Sequence, residues 1–184
     1  MTKVIFVRHG RTNYNEEGKY DGIGNAQLTQ VGKSQANEIA EIFKSEKIHA
    51  IYASPLQRCI DTITPLALSK NLEIISDNAF IEIQSPGIQD KVFSCKEYKW
   101  ENWYGGGEKI IEVDERVRSG LEKIIKNHDW ETVVICAHWD TTFMGRNFFH
   151  NYNYDTEKYS CDLFLENNLE KYDIHAMYGI EETK

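Results

Sequence analysis

Apolar residues fall in two patterns along this chain, short unbroken runs and longer stretches spaced like one face of a helix, and the two alternate. Val4 to Val7 is a β-branched and aromatic run that stops at Arg8, His9 and Gly10, the pattern of a buried strand feeding a loop. From Thr29 to Lys44 the residues Ala36, Ile39, Ala40 and Phe43 recur at helical spacing, with Thr29 placed to cap the start. Ile48 to Ala53 predicts a second strand, and Ser54-Pro55 a turn into a helix over Leu56 to Leu68. A third strand is expected at Glu73 to Ile75. Ile110, Val113, Val117, Leu121 and Ile124 then predict a helix over Ile110 to Ile125. Val133 to Ala137 is again almost wholly apolar, which suits a strand covered on both faces.

Strands separated by helices favour parallel pairing through right-handed crossovers. The expected fold is therefore α/β, a three-layer sandwich with a mostly parallel central sheet. Such sheets bind ligands beyond the carboxyl ends of their strands. Between Gln84 and Gly107 the periodicity fails, and Phe93, Tyr98, Trp100, Trp103 and Tyr104 crowd a segment closed by three glycines. That segment reads either as a cover over the site or as stabilising packing. No repeat, low-complexity tract or charged linker divides the chain, so residues 1–184 are expected to form a single domain.

Composition narrows the picture mainly by exclusion. At 184 residues and 41% hydrophobic content, one buried core is expected. A net charge of −8 argues against broad binding to nucleic acid or to an anionic membrane face. An anionic ligand must then be drawn by a local cluster of basic residues. No apolar run approaches the ~20 residues of a membrane span, and the run before Arg8 is too short for a signal peptide, so the expected location is cytoplasmic. Cys59, Cys95, Cys136 and Cys161 form no close pair, which excludes zinc-finger and thioredoxin-like spacing. Monomer and homodimer are both compatible with the chain.

Three strand ends are expected at one edge of the sheet: Arg8-His9-Gly10, Ser54-Pro55-Leu56-Gln57-Arg58, and His138. Two arginines and two histidines would meet there. Phosphoryl transfer needs cations on the non-bridging oxygens and an attacking group in line with the leaving oxygen, and the planar fork of Arg suits the first task.

These residues resemble the histidine phosphatase superfamily, the phosphoglycerate mutase-like enzymes. Its Arg-His-Gly-x-Thr motif corresponds to Arg8 to Thr12, with Asn15 following. Its Leu-Thr-x-x-Gly-x-x-Gln-Ala pattern corresponds to Leu28 to Ala36, and its Ser-Pro-Leu-x-Arg to Ser54 to Arg58, with Thr62 beyond. The catalytic acid after the third strand would be Glu82, and the second histidine His138. The resemblance implies that His9 attacks phosphorus and becomes phosphohistidine, while Arg8, Arg58, His138 and Asn15 hold the phosphate. Glu82 would protonate the leaving alcohol and then take a proton from the hydrolytic water. His9 must be neutral for attack, whereas His138 is more useful protonated once phosphate is bound. With arginines neutralising the phosphate, neither a divalent cation nor another cofactor is required.

The implied activity is hydrolysis of a phosphomonoester of a small metabolite. The alternatives are mutase-type transfer between two hydroxyls and a weakly active phosphate-binding or scaffolding protein. The chain is shorter than typical phosphoglycerate mutases, which favours hydrolysis. Trp139-Asp140 stands where the family has Gly-Gly, Arg11 replaces a usual acidic residue, and the match from Gln84 to Asp90 is weak. Trp139 could narrow the pocket, reorient its loop or stack on a substrate ring. Asp140 could share the acid role with Glu82 or cap a helix beginning near Thr141.

Overall fold

The computed structural model describes residues 2–92, 107–150 and 174–178. In chain order its elements are β1 (Lys3–Arg8), α1 (Asn13–Glu17), α2 (Gln30–Ile42), β2 (Ala50–Ala53), α3 (Gln57–Lys70) and β3 (Ile74–Ser76). A single 3-10 turn over Asn78–Phe80 follows, then α4 (Ile110–Asn127), β4 (Thr132–Ala137), α5 (Trp139–His150) and β5 (Ile174–Tyr178). The five strands form one sheet in the order β3-β2-β4-β1-β5. The first four are parallel to their neighbours, and β5 runs antiparallel to β1.

The α/β architecture with a parallel centre is the one expected, and it follows from the strand composition. Successive strand residues point to opposite faces, and all four residues from Val4 to Val7 are at most 1% exposed, so both faces of the sheet are covered. Val4, Phe6, Val133 and Ile135 pack under Val113, Val117 and Leu121 of α4 and Met144 of α5. Ile5, Val7, Ile51 and Val134 pack on the other side against Ile39 of α2 and Ile63 and Leu66 of α3.

Element boundaries move by about two residues from the sequence reading, as helix and strand ends commonly do. Three differences carry physical content. α1 was not anticipated; its five residues are closed by a capping box in which Thr12 and Asn15 bond each other's backbone N–H. β5 comes from a region without clear periodicity and is fixed by its pairing along β1. α5 begins at Trp139, which puts Asp140 in its first turn and removes the N-cap alternative for that residue.

The close approach of α5 to β1 depends on Gly145. A Cβ at that position would collide with the Phe6 ring, so the helix backbone lies directly on β1. Gly145→Ala is expected to lower the unfolding free energy by about 1–3 kcal/mol through overpacking. Denaturant unfolding checks this, and an unchanged midpoint would show that α5 can back away from Phe6 without loss.

Candidate active site

The three strand ends meet because β4 lies between β1 and β2. Arg8 is opposite Ala137, and Ala53 is opposite Cys136. The ladder runs one step beyond the strands: His9 N–H donates to the Ala137 carbonyl at 3.0 Å, and Ser54 N–H to that of Cys136 at 2.9 Å. Arg8, His9, Ser54, Arg58 and His138 therefore gather at one carboxyl edge. Glu82 arrives from the segment after the 3-10 turn, held between the fully buried Phe80 and Ile83.

His9 is half-buried, and its Nδ1 lies 2.9 Å from the Gly10 carbonyl oxygen. A carbonyl only accepts, so Nδ1 carries the proton and Nε2 keeps its lone pair. The turn behind it is tight. Gly10 N–H donates to Thr62 Oγ1 at 2.9 Å, and a Cβ on Gly10 would stand 2.7 Å from the Gly32 carbonyl oxygen. This contact explains why two separate sequence motifs each carry a glycine here. The His9 and His138 rings stand 5.2 Å apart, centroid to centroid.

His138 is fully buried at the N-terminus of α5. Arg58 Nη2 lies 3.2 Å from its Nδ1, and Ser54 Oγ lies 2.7 Å from its Nε2. Arginine can only donate, so Nδ1 is the acceptor and the ring proton sits on Nε2, directed at Ser54. Glu82 Oε2 is 3.7 Å from Nδ1, beyond hydrogen-bond range. Glu82 is buried; its Oε1 accepts from Ile83 N–H at 2.9 Å, and its side chain is hydrogen-bonded to that of Asp140. Of the roles open to Asp140, association with the acid is therefore the one present. Trp139 stacks on Phe143 one turn along the helix, with centroids 5.6 Å apart and ring planes 12° from parallel.

The charges around these groups set their protonation. Burial pulls the His9 pKa well below its ordinary value, and the Arg58 and Arg8 guanidiniums pull it further, against a small opposing effect of the Gly10 carbonyl. His138 is lowered in the same way by burial, Arg58, His9, Arg8 and Arg116. Both imidazoles are neutral in the unliganded chain. Burial raises Glu82, while Arg58, the Ile83 N–H, Asp140 and Arg8 hold it partly down. The result is a basic nitrogen and a carboxyl inclined to keep its proton beside two guanidiniums, the complement of a phosphate ester and its leaving oxygen.

Asn15 differs from the other expected residues. It is exposed, and its Oδ1 accepts from Thr12 N–H at 3.0 Å, which leaves only its Nδ2 for a ligand. Tyr14 donates to Asp90 at 2.8 Å, and Tyr20 donates to the Ile83 carbonyl at 3.0 Å, tying the loop before α2 to the flank of Glu82. The aromatic segment read as a cover falls mostly on residues 93–106, outside the described residues. Cys59 is buried with its Sγ 3.5 Å from His138 Nε2. Among the described residues, no group of three or more His, Cys, Asp or Glu side chains is placed to hold a metal ion, and no helix is long and apolar enough to cross a membrane.

Two participants escaped the sequence reading. Ser54 is quoted only as part of a motif, yet its hydroxyl lies 2.7 Å from His138 Nε2 and receives the ring proton that the Arg58 contact places there. Asp21 was not singled out, because an Asp between a tyrosine and a glycine reads as a turn residue. It forms a buried ion pair with Arg58, Oδ2 to Nη1 at 2.5 Å.

The family profile for the histidine phosphatase superfamily (branch 1) matches residues 4–149. Phosphoserine phosphatase 1 of Hydrogenobacter thermophilus is 33% identical over 75% of this chain and 71% of that protein. A metal-independent phosphoserine phosphatase of Arabidopsis thaliana is 30% identical over 75% of this chain and 64% of that protein. Mycobacterial relatives matched at 29% identity are longer, and the chain spans 41% of them. In fold, the chain is similar to the crystal structure of a phosphoserine phosphatase from Entamoeba histolytica in complex with 3-phosphoglyceric acid. The TM-score is 0.78 at 22% identity, over 96% of this chain and 90% of that one.

The lowered His138 pKa has a definite sign in the pH dependence of stability. Above its ordinary value of 6.5 the group is neutral in folded and unfolded chains alike and contributes nothing. Below that value the unfolded chain takes up the proton first, so stability falls as pH falls. The raised Glu82 works in the opposite sense, since the folded chain keeps that proton to higher pH than the unfolded chain does. Comparison with His138→Asn isolates the histidine. The drop in melting temperature between about pH 7 and about pH 5.5 is expected to be smaller in the variant. An equal drop would show that folding does not shift the His138 pKa.

Proposed function

Because the chain belongs to branch 1 of the histidine phosphatase superfamily, we propose that it hydrolyses a phosphomonoester of a small metabolite through a phosphohistidine at His9. The observation that carries this reading is His9 itself. Its Nδ1 proton is tied to Gly10, its pKa is held down by burial and by two arginines, and Nε2 is left as a neutral nucleophile among groups able to receive a phosphate. The names of the Hydrogenobacter and Arabidopsis relatives support phosphatase activity, and the latter supports independence from metal. Phosphoserine is therefore the first substrate to test.

In the first step, His9 Nε2 forms a bond to phosphorus as the ester P–O bond breaks, and the leaving oxygen takes the Glu82 proton. Arg8 and Arg58 neutralise the non-bridging oxygens, joined by His138 and by Asn15 through Nδ2. A bound phosphate dianion favours protonation of His138, reversing its state in the free chain. In the second step, Glu82 accepts a proton from water as the water oxygen attacks phosphorus and the P–N bond breaks. Inorganic phosphate leaves with His9 neutral and Glu82 protonated, so the cycle closes. The arginines supply the positive charge that a metal ion would otherwise provide. Buried, unbridged Cys59 and Cys136 accord with a cytoplasmic location, and the enzyme acts as a monomer or homodimer.

A different reading comes from Ser54, His138 and Glu82, whose order has the outline of a Ser-His-acid triad. It fails on two counts. Ser54 is fully buried, and the Arg58 donor at Nδ1 puts the ring proton on Nε2, so His138 has no lone pair with which to deprotonate Ser54.

The experiment is phosphate release from an aryl phosphate and from phosphoserine in chelator. Turnover in the natural chain and its loss in His9→Ala are expected. Glu82→Gln should slow phosphoserine hydrolysis by about 10²–10⁴-fold, the usual range for a general acid, and slow the aryl ester much less, because a nitrophenolate leaves without a proton. Activity that survives in His9→Ala, or that requires added magnesium, would refute the mechanism. Phosphate transfer to a second hydroxyl without release would indicate a mutase.

A further inference from the structure

The Arg58 guanidinium is 2% exposed, and its surroundings account for its N–H groups one by one. Nη1 faces Asp21 Oδ2 at 2.5 Å and the Gly24 carbonyl at 3.3 Å. Nη2 faces the Gly22 carbonyl at 2.6 Å and His138 Nδ1 at 3.2 Å. An arginine has five N–H donors, four of them on Nη1 and Nη2, and three hydrogen bonds together with the Asp21 ion pair occupy that end of the fork. The fifth, on Nε, is buried and has no hydrogen-bond partner among the described residues. A buried donor left unpaired is costly and calls for an explanation.

Three of the four acceptors on Arg58 belong to one short loop, Asp21 to Gly24, and Asp21 organises that loop. Its Oδ1 accepts from Ala26 N–H at 3.3 Å, and its carbonyl accepts from Gly24 N–H at 2.8 Å. One carboxylate oxygen thus ties the loop to itself and the other meets the arginine. Asp21 is only 9% exposed, so its charge acts on Arg58 with little solvent between them. The contact is an ion pair rather than an aligned hydrogen bond, since Oδ2 has no hydrogen-bond partner.

We propose that Asp21 is a positioning residue for phosphoryl transfer. It anchors Nη1 of Arg58 in both free and bound states, so that the Nε–H, joined by an Nη2–H once His138 is protonated, is the donor for a phosphoryl oxygen. This inference rests on the phosphatase reading of the same site. It also explains how a buried guanidinium stays in place when no anion is bound, because a standing counter-charge replaces the one that the substrate brings. Loss of that charge leaves the cation present and misplaced. Transition-state stabilisation then suffers more than ground-state binding.

The test measures kcat for an aryl phosphate and the affinity for inorganic phosphate, in natural and Arg58→Ala backgrounds, with and without Asp21→Asn. With Arg58 present, Asp21→Asn is expected to lower kcat by about tenfold to a hundredfold, the scale of a small misplacement of a catalytic group. Phosphate should bind as tightly or more tightly, because a negative charge near the anion is gone. With Arg58 absent, the same substitution should leave kcat unchanged. An unchanged kcat, or an equal loss in both backgrounds, overturns the proposal. Should the natural chain bind phosphate without turnover, the phosphatase reading fails on its own. The coupling is then decided by affinity alone, with a change that differs between the two backgrounds as the supporting result and an equal change as the refuting one. No phosphate binding in the natural chain overturns both. If Asp21→Asn does not fold, Asp21→Glu keeps the charge on a longer stem, and it is expected to retain the melting temperature while lowering kcat.

Discussion

The pairing of β4 between β1 and β2 is the constraint on which the rest of this molecule depends. Because Ala137 lies opposite Arg8 and Cys136 opposite Ala53, three segments far apart in sequence leave the sheet at one level. A shift of one residue in either register would send a strand's side chains to the wrong face and move its terminal residue away from the others. Both faces of these strands are buried, so the register is held by two separate layers of packing. Gly145 and the Gly10–Gly32 contact then bring α5 and the His9 turn in as closely as backbone allows.

Concentrated positive charge is the second constraint. Arg8 and Arg58 face two histidines. The imidazoles respond by staying neutral, and Asp21 supplies a fixed negative charge on Arg58. Glu82 responds to burial in the other direction and is held near Asp140. The same low-dielectric surroundings thus favour an unprotonated base and a protonated acid within one cleft, which is the division of labour that phosphomonoester hydrolysis requires.

Departures from the family pattern become intelligible in this frame. Trp139 and Asp140 replace two glycines at the start of α5, and each has found a protein partner. The tryptophan is stacked on its own helix, and the aspartate associates with the acid. Neither replacement disturbs the Arg58, Ser54 and His138 contacts.

Much of this was readable in the sequence. Val4 to Val7 announced a strand covered on both faces, Thr29 a helix cap, and the apolar spacing from Ile110 to Ile124 a helix on the sheet. The motifs around His9, Arg58 and His138 pointed to a phosphate site. These signals are local, since strand alternation, capping and motif spacing depend on neighbours within a few residues. β5 was not readable, because its strand identity comes from hydrogen bonds to β1. Nor was the Asp140 position, which turned on where a helix begins. Asp21 and Ser54 lie in loops whose composition suits ordinary turns, and only the approach of Arg58 and His138 gives them a role. The sequence by itself determined the layers and the class of chemistry, and pointed to a candidate nucleophile. The tertiary structure decided which nitrogen of each histidine carries the proton and which donor of Arg58 remains, because those depend on contacts between residues tens of positions apart.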